Sequence, residues 1–239
     1  MSITPKTPGD LAGRLSSRPL HFIWLADCSG SMQGAKIESL NRAIRESLPE
    51  MRRVADENPH ADIKVRAIAF SSGARWHVGQ PTDVDQFRWP DLRADGVTDL
   101  GHALKLLAKA LEMPPMEERG MPPVLVLISD GMPTDDYKSG IKEVLERPWG
   151  RKAVRIAIGL GNDADDSVLQ EFIGNNEIKP LRANTAPQLT NYIKWASTAV
   201  IKAASTPPVA ADGTSSGTAG TVLPGPVNVP QASPGDEVW

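Results

Sequence analysis

The chain has 239 residues, which is enough for one α/β domain and a tail, and its formal net charge at pH 7 is −3. This weakly acidic balance argues against the basic surface that nucleic-acid binding requires. The single cysteine, Cys28, excludes an internal disulfide, and the apolar runs are too short to span a membrane. Residues 1–18 lack the apolar core of a signal peptide, so we expect a cytoplasmic protein without nucleic-acid or membrane partners.

The first predicted elements are a buried strand and an amphipathic helix. Residues 20–26 form an apolar run, which is typical of a parallel strand covered on both faces. A helix follows from Gly34, because apolar residues recur at steps of three and four: Ile37, Leu40, Ile44, Leu48 and Met51. Pro49 interrupts this stripe, and we expect it to kink or break the helix.

A second strand is predicted over residues 63–70, where the sequence alternates between apolar and polar and then becomes wholly apolar. Residues 75–78 are expected to pair with it as a short antiparallel edge strand. Residues 79–97 are polar and irregular, and a loop of this length in a compact domain is often functional. Trp76 and Trp89 lie near this loop and are candidates for the rim of an interface.

The rest of the domain alternates helices with strands. We predict helices over residues 98–111, 138–145, 166–173 and 189–203, and strands over residues 124–129, 154–160 and 180–183. This alternation indicates βαβ units. The predicted fold is therefore α/β, with a doubly wound, mainly parallel sheet, helices on both of its faces and one short antiparallel edge strand.

Composition divides the chain into three parts. We assign residues 1–18 to a flexible lead-in, residues 19–204 to the folded domain and residues 205–239 to a tail. The tail is dominated by Pro, Gly, Ser, Thr, Ala and Val and keeps no periodicity, so we expect it to be disordered. Its last four residues, 236–239, read Asp-Glu-Val-Trp and are either a docking motif or a stretch without a role.

Oxygen-bearing side chains follow the first buried strand directly. Asp27, Ser29 and Ser31 come where ligands bind in doubly wound sheets, beyond the carboxyl end of a strand. Their hard oxygens suit Mg²⁺ but are too few to enclose it. Thr98 precedes a predicted helix and Asp130 follows a predicted strand, so both can add oxygens at the same edge. The alternative is a turn whose Asp and Ser side chains merely cap a helix.

The pattern Asp27-x-Ser29-x-Ser31, followed by Thr98 and Asp130, resembles the metal-ion-dependent adhesion site (MIDAS) of von Willebrand factor A (VWA) domains. The resemblance implies that Ser29, Ser31 and Thr98 bind Mg²⁺ directly and that Asp27 and Asp130 bind it directly or through water. Mn²⁺ and Ca²⁺ are alternative ions. It also implies that a carboxylate from a protein partner completes the coordination at an open position.

Four segments are further similar to the bacterial tellurite-resistance (TerY-like) branch of this family: residues 29–32, 87–100, 129–136 and 158–165. Proteins of that branch are cytosolic and are often encoded with a protein kinase and a PP2C-type phosphatase, so the resemblance implies such partners. The sequence departs from the branch at Cys28, where Thr is common. We expect that side chain to point away from the ion.

The function predicted from these residues is a non-enzymatic, Mg²⁺-dependent adaptor in a stress response similar to tellurite resistance. No catalytic residue is assigned, and the partner-binding residues cannot be named. His102 is the nearest candidate base, but it falls one helical turn after Thr98, where it is expected to be packed or solvated.

Two other functions stay open at this point. One is a metal-dependent phosphohydrolase with Asp27 as nucleophile, although Ser29 stands where haloacid-dehalogenase-type enzymes need a second Asp. The other is a structural stress-response subunit whose metal only stabilises the loops.

Several polar residues near the predicted site have local interpretations. Thr98 is a candidate N-cap, and Asp99 is expected to be a first-turn acid of the same helix. Asp135 and Asp136 are expected to cap the helix that follows them. Cys28 is either a reactive thiol with a lowered pKa or, as the favoured reading, a quiet small side chain.

Overall fold

The computed structural model describes residues 17–205. The strands of this part of the chain are β1 (Arg18–Asp27), β2 (Ala61–Ser71), β3 (Gly73–Asp83), β4 (Val124–Ser129), β5 (Val154–Leu160) and β6 (Leu181–Ala183). The helices are α1 (Ala35–Asp56), α2 (Leu100–Ala110), α3 (Tyr137–Glu146), α4 (Pro148–Lys152), α5 (Asp166–Ile173), α6 (Ala186–Trp195) and α7 (Ile201–Ser205). A 3₁₀ turn covers Gly30–Met32, and a π-helical turn at Ala196–Val200 joins α6 to α7.

The strands form one sheet in the order β3-β2-β1-β4-β5-β6. All neighbours run parallel except β3, which pairs antiparallel with β2 at the edge. From β1 the chain first builds towards β2 and β3 and then returns to β4 on the other side, so the strand order reverses at β1. Asp27 pairs with Phe70 and Ala26 with Ile128, which brings the carboxyl ends of three strands to one edge. Such a reversal point is where doubly wound folds bind ligands.

Each face of the sheet carries its own apolar core. Phe22 and Trp24 of β1 pack on the face covered by α1 and α6, whereas Ile23 and Leu25 pack on the face covered by α2, α3 and α5. All four side chains are fully buried. Burying each contributes about 1.5–3 kcal/mol to the free energy of unfolding. The predicted fold, a mainly parallel sheet with helices on both faces and one antiparallel edge strand, is confirmed.

The edge strand is longer than predicted. β3 spans Gly73–Asp83, so residues 79–83 belong to the sheet and not to the predicted loop. Its pairing with β2 shifts between Val78 and Thr82, and Pro81 lies inside this irregularity. An edge strand tolerates a proline there because a bulge has no ladder hydrogen bond for it to break. The sequence signal was weak because β3 is only partly buried along its length.

The loop after β3 is packed against the domain, which corrects the prediction that Trp89 lies on an interface rim. Phe87, Trp89 and Leu92 are buried in the core beneath α1. The Trp89 Nε1–H donates to Asn41 Oδ1 at 2.9 Å, and the same oxygen accepts from the Leu92 N–H at 2.9 Å. One buried asparagine on α1 therefore fixes this loop to the domain.

Helix α1 continues through Pro49 to Asp56, so the expected break does not occur. Pro49 and Arg45, whose carbonyl loses its helical partner, both lie on the exposed side of the helix. Water can satisfy that carbonyl, while Met51 and Val54 after the proline remain buried against the core.

Most of the predicted lead-in and tail lies outside the described residues. Arg18, assigned to the lead-in, pairs with Ala61 and begins β1, and Ser205 ends α7. The Asp-Glu-Val-Trp stretch at residues 236–239 lies outside them as well. Among the helices within 17–205, none combines the length and apolarity that a membrane span requires.

Candidate metal centre

The five predicted site residues lie on three loops at the carboxyl edge of the sheet. Asp27 is the last residue of β1, and Asp130 directly follows β4, the neighbour of β1. Ser29 and Ser31 lie in the turn between β1 and α1, and Thr98 lies two residues before α2. The parallel register therefore carries Asp27 and Asp130, which are 103 positions apart in the sequence, to one edge.

Hydrogen bonds link four of these residues. Ser31 Oγ donates to Asp130 Oδ1 at 2.7 Å, and Ser29 Oγ lies 3.0 Å from Ser31 Oγ. Because a serine hydroxyl has one hydrogen, the bond from Ser31 to Asp130 leaves Ser29 as the donor to Ser31. The Ser29 N–H donates to Asp27 Oδ1 at 2.8 Å, which completes the connection to β1.

Asp27 is fully buried. Its second oxygen, Oδ2, accepts a hydrogen bond from Ser129 Oγ at 2.5 Å. Burial raises the pKa of the Asp27 carboxyl, and the hydrogen bonds from Ser129 and Ser29 oppose that rise. Sequence analysis missed Ser129, although its position as the last residue of the strand beside β1 was the available signal. A buried carboxylate without a cation of its own is costly, and a bound cation relieves that cost.

Thr98 approaches the two serines across Gly131. Its side chain is largely buried, and a Cβ on Gly131 would lie 3.4 Å from Thr98 Oγ1 and 3.6 Å from Ser31 Oγ. The two hydroxyls therefore flank the same glycine, directly after Asp130. All five predicted residues share one small region, with Ser31 exposed on its outer side.

Backbone hydrogen bonds hold the first two loops together. The Gly30 N–H donates to the Gly96 carbonyl at 2.9 Å, and the Asp95 N–H donates to the Cys28 carbonyl at 2.9 Å. The Ser29 turn and the segment leading to Thr98 are thereby fixed to each other through the main chain, which does not depend on the side chains that face the site.

The third loop, which follows β4 and carries Asp130, is held to the start of α2 by Thr134 and Asp135. Thr134 N–H donates to the Thr98 carbonyl at 2.8 Å, and Thr98 N–H donates to Thr134 Oγ1 at 3.2 Å. The Asp135 carboxylate accepts from the Gly101 and His102 N–H groups, each at 2.8 Å. A Cβ on Gly101 would lie 2.6 Å from the Asp136 carbonyl oxygen, so only glycine permits this close approach.

This arrangement corrects the predicted capping roles. Asp99, not Thr98, occupies the N-cap position of α2, and no side-chain cap bond is made there. Asp135 caps α2 from a separate loop instead of capping α3. Asp136 does cap α3, since its carboxylate accepts from the Ser139 N–H at 3.1 Å. Asp99 accepts from the Gly73 N–H at 2.7 Å and Thr134 Oγ1 at 2.9 Å, and these bonds lower its pKa.

Asp99, His102 and Asp135 form a second group with metal-binding side chains, whose candidate ligand atoms lie within 4.8 Å of one another. The His102 Nδ1 lies 2.9 Å from Asp135 Oδ2, which also accepts the His102 N–H. Asp135 accepts main-chain N–H groups at the start of α2, and Asp99 accepts the Gly73 N–H, so both carboxylates link separate segments. The positive end of the α2 dipole disfavours a cation at this position. We interpret the group as a clamp between two loops.

Residues 22–132 match the family model described as the von Willebrand factor type A domain. The chain contains a von Willebrand factor type A domain. No curated protein sequence matches the chain significantly. The six-stranded sheet with its antiparallel edge and the reversal of strand order at β1 are the fold of this domain.

Solved structures share the VWA fold at low identity. Proximal thread matrix protein 1 from the mussel byssus, in a structure with a zinc-occupied MIDAS motif, is 16% identical with a TM-score of 0.58, over 76% of this chain and 48% of that chain. The ArnB paralog VWA2 from Sulfolobus acidocaldarius is 22% identical with a TM-score of 0.56, over 75% and 45%. A von Willebrand factor type A structure from Catenulispora acidiphila is 16% identical with a TM-score of 0.55, over 77% and 42%. The likeness establishes the fold alone, and the chain spans less than half of these proteins.

Lys36 is a second residue of the candidate metal centre that sequence analysis missed. Its Nζ lies 2.6 Å from Asp130 Oδ2, so Asp130 accepts from Ser31 on one oxygen and from Lys36 on the other. The Asp130 side chain has no exposed surface, and the Lys36 side chain is only 13% exposed. The signal in the sequence was a lysine in the first turn of α1, where the helix dipole disfavours a cation.

The surroundings of Cys28 disfavour reaction of its thiol. Cys28 is buried, and its Sγ donates to the Phe70 carbonyl at 3.3 Å. Burial raises the pKa of the thiol, which keeps it protonated and disfavours reaction. The favoured reading of Cys28 as an unreactive small side chain therefore agrees with its surroundings, and the reactive alternative does not.

Two exposed apolar side chains border the site. Val97, beside Thr98, is 48% exposed, and Met132, two residues after Asp130, is 66% exposed. Within residues 17–205 the other exposed large apolar residues are Met113 and Leu145. Two of these four residues thus neighbour predicted metal ligands in the sequence.

The donor set fits a hard divalent cation. It offers two buried carboxylates and three hydroxyls, and such oxygens are the ligands that Mg²⁺, Mn²⁺ and Ca²⁺ accept. The Thr98 and Ser31 hydroxyls flank Gly131, Ser29 Oγ lies 3.0 Å from Ser31 Oγ, and the exposed Ser31 leaves an outer side accessible.

Proposed function

We propose that this VWA domain is a metal-dependent protein-binding module in which Asp27, Ser29, Ser31, Thr98 and Asp130 hold a divalent cation. The observation that carries the proposal is the hydrogen-bonded chain from Ser29 through Ser31 to Asp130 beside the fully buried Asp27. Mg²⁺ is the ion that we favour, and Mn²⁺ and Ca²⁺ are alternatives.

The chemistry of the donor set supports attachment of an acidic partner. When bound, the ion would take oxygen ligands from these residues and keep water at a remaining position, which a carboxylate from a partner can replace. The hydroxyl groups of Ser29, Ser31 and Thr98 supply oxygen ligands to the ion without adding negative charge. The N-terminus of α1 lies nearby and also favours an incoming anion.

The exposed apolar residues at the border suggest what the partner offers. Met132 and Val97 stand beside the predicted ligands, and exposed apolar side chains of this kind are favoured at interfaces. We therefore propose that the partner presents an acidic residue next to an apolar side chain. The acid would bind the ion, and the apolar side chain would pack on Met132.

Binding is favoured over catalysis by the state of the polar groups. VWA domains generally act as non-catalytic interaction modules, and His102, the nearest candidate base, holds Asp135 through Nδ1. A phosphohydrolase that uses Asp27 as nucleophile is disfavoured, because both Asp27 oxygens accept hydrogen bonds and the side chain is fully buried.

The biological setting rests on the TerY-like resemblance alone. On that basis we propose a cytoplasmic adaptor whose partners include a protein kinase or a PP2C-type phosphatase, in a stress response similar to tellurite resistance. A structural subunit whose metal only stabilises the loops is the competing proposal. It would bind metal without metal-dependent capture of a partner.

Partner capture tests the proposal. Immobilised protein should retain a partner from the native host in Mg²⁺ and release it in EDTA, with the fold unchanged by circular dichroism. Met132→Ser should weaken the binding of that partner about tenfold, because it removes an apolar contact worth about 1–2 kcal/mol. Met113→Ser is the matched control, since Met113 is 51% exposed and follows the C-terminal end of α2, whereas Thr98 precedes its N-terminal end. Capture that is equal with and without metal would contradict the proposal.

A further inference from the structure

Lys36 reaches the candidate metal centre from α1 and shares a carboxylate with it. Its Nζ lies 2.6 Å from Asp130 Oδ2, and its side chain is only 13% exposed. Lysine is rarely so buried unless it is paired. It also lies in the first turn of α1, close to the positive end of the helix dipole, where a cation is unfavourable. The helix dipole and the loss of solvation both oppose a cation at this position, and the charge of Asp130 offsets them.

The charges of the site give this lysine a definite effect. Asp27 and Asp130 are both buried, and Lys36 is the cation that bonds one of them. Two carboxylates and one ammonium leave one net negative charge, which a dication reverses to one net positive charge. Without Lys36 the metal-loaded set would be neutral, and its attraction for an incoming carboxylate would fall.

We propose that Lys36 is a built-in cation that lowers the affinity of the site for metal and raises the affinity of the metal-loaded site for a carboxylate. This inference rests on the proposed function, because it assumes that Asp130 is a metal ligand. Lys36 and the metal depend on the same carboxylate, so the ammonium competes with the metal. Once metal is bound, the ammonium adds the charge that draws an acidic group.

The proposal predicts opposite changes in metal affinity and in carboxylate affinity for one substitution. Lys36→Met should tighten binding of Mg²⁺ and Mn²⁺ about tenfold, since the competing cation is gone. The same variant, loaded with Mn²⁺, should bind acetate about fivefold more weakly. A lysine that merely supported the position of Asp130 would give the reverse result for metal, because its loss would weaken metal binding.

The experiment uses titration calorimetry for the metals and paramagnetic relaxation of the acetate carboxyl carbon for the Mn²⁺-loaded protein. Lys36→Gln keeps a hydrogen-bond donor for Asp130 and serves if Lys36→Met does not fold. Lys109→Met is the matched control, because Lys109 is exposed in the last turn of α2 and its loss changes the net charge equally. Lys109→Met should leave both affinities unchanged.

The possible results distinguish a failure of the role proposed for Lys36 from a failure of the metal centre itself. Tighter metal binding with weaker acetate binding supports the role of Lys36. Unchanged or weaker metal binding, or unchanged or tighter acetate binding, overturns it while leaving the metal centre intact. A wild-type protein that binds neither metal overturns the proposed function itself, and the inference about Lys36 fails with it.

Discussion

Replacing Asp27 by asparagine is expected to abolish divalent-metal binding while the protein stays folded. Loss of residues that only support metal ligands typically lowers affinity 10–100-fold, so loss of a buried carboxylate ligand should cost about a hundredfold or more. At a metal concentration of about 100 times Kd, the wild type should gain about 2.7 kcal/mol, or about 5–10 °C in Tm for a domain of this size. Asp27→Asn should lose that gain.

In the absence of metal the same substitution should change stability by no more than about 1 kcal/mol. It removes a buried charge, and the new amide oxygen can still accept from Ser129 or the Ser29 N–H. Calorimetric titration and thermal unfolding with Mg²⁺ and with EDTA measure both effects. Asp163→Asn, in the exposed loop after β5, is the control and should behave as wild type. Wild-type metal affinity in Asp27→Asn would remove Asp27 from the site.

Replacing Asp135 by alanine is expected to weaken both the fold and the metal centre. The substitution leaves the Gly101 and His102 N–H groups without their partner, which should cost about 1–2 kcal/mol. It also loosens the contact that fixes the Asp130 loop against the segment carrying Thr98. We expect metal affinity to fall about tenfold, as for residues that orient metal ligands.

Asp136→Ala provides the comparison, because the neighbouring aspartate caps only its own helix. Urea denaturation should show a loss of about 1 kcal/mol for Asp136→Ala as well, with unchanged metal affinity. Equal metal affinities in the two variants would mean that the clamp supports only the fold. If Asp135 itself binds metal, the wild type should show a second binding event that Asp135→Ala removes.

The parts of the site that could be predicted from the sequence are those that depend on strand register. Asp27 and Asp130 each follow an apolar strand, and parallel neighbours bring such positions together whatever lies between them in the sequence. The same reasoning predicted β4, β5 and α5 at both of their ends. Continuous apolar runs and a helix with apolar residues along one side each favour a single type of secondary structure.

The parts that could not be predicted depend on contacts across loops. Asp135 caps a helix 35 positions earlier in the chain, and no local pattern distinguishes it from Asp136, which caps its own. Lys36 is distinguished from other helical lysines only by its contact with Asp130, 94 positions later. Trp89 was a candidate for an interface rim because it lies near a loop, but Asn41 binds its indole N–H in the core. In each case the deciding partner is distant in the sequence.

The most direct test of the metal centre is a crystal structure of the protein grown with Mn²⁺, with anomalous scattering used to locate the ion. The account predicts an anomalous peak bounded by the oxygens of Asp27, Ser29, Ser31, Thr98 and Asp130. A crystal without a peak there, or with a peak only between Asp99, His102 and Asp135, would contradict it.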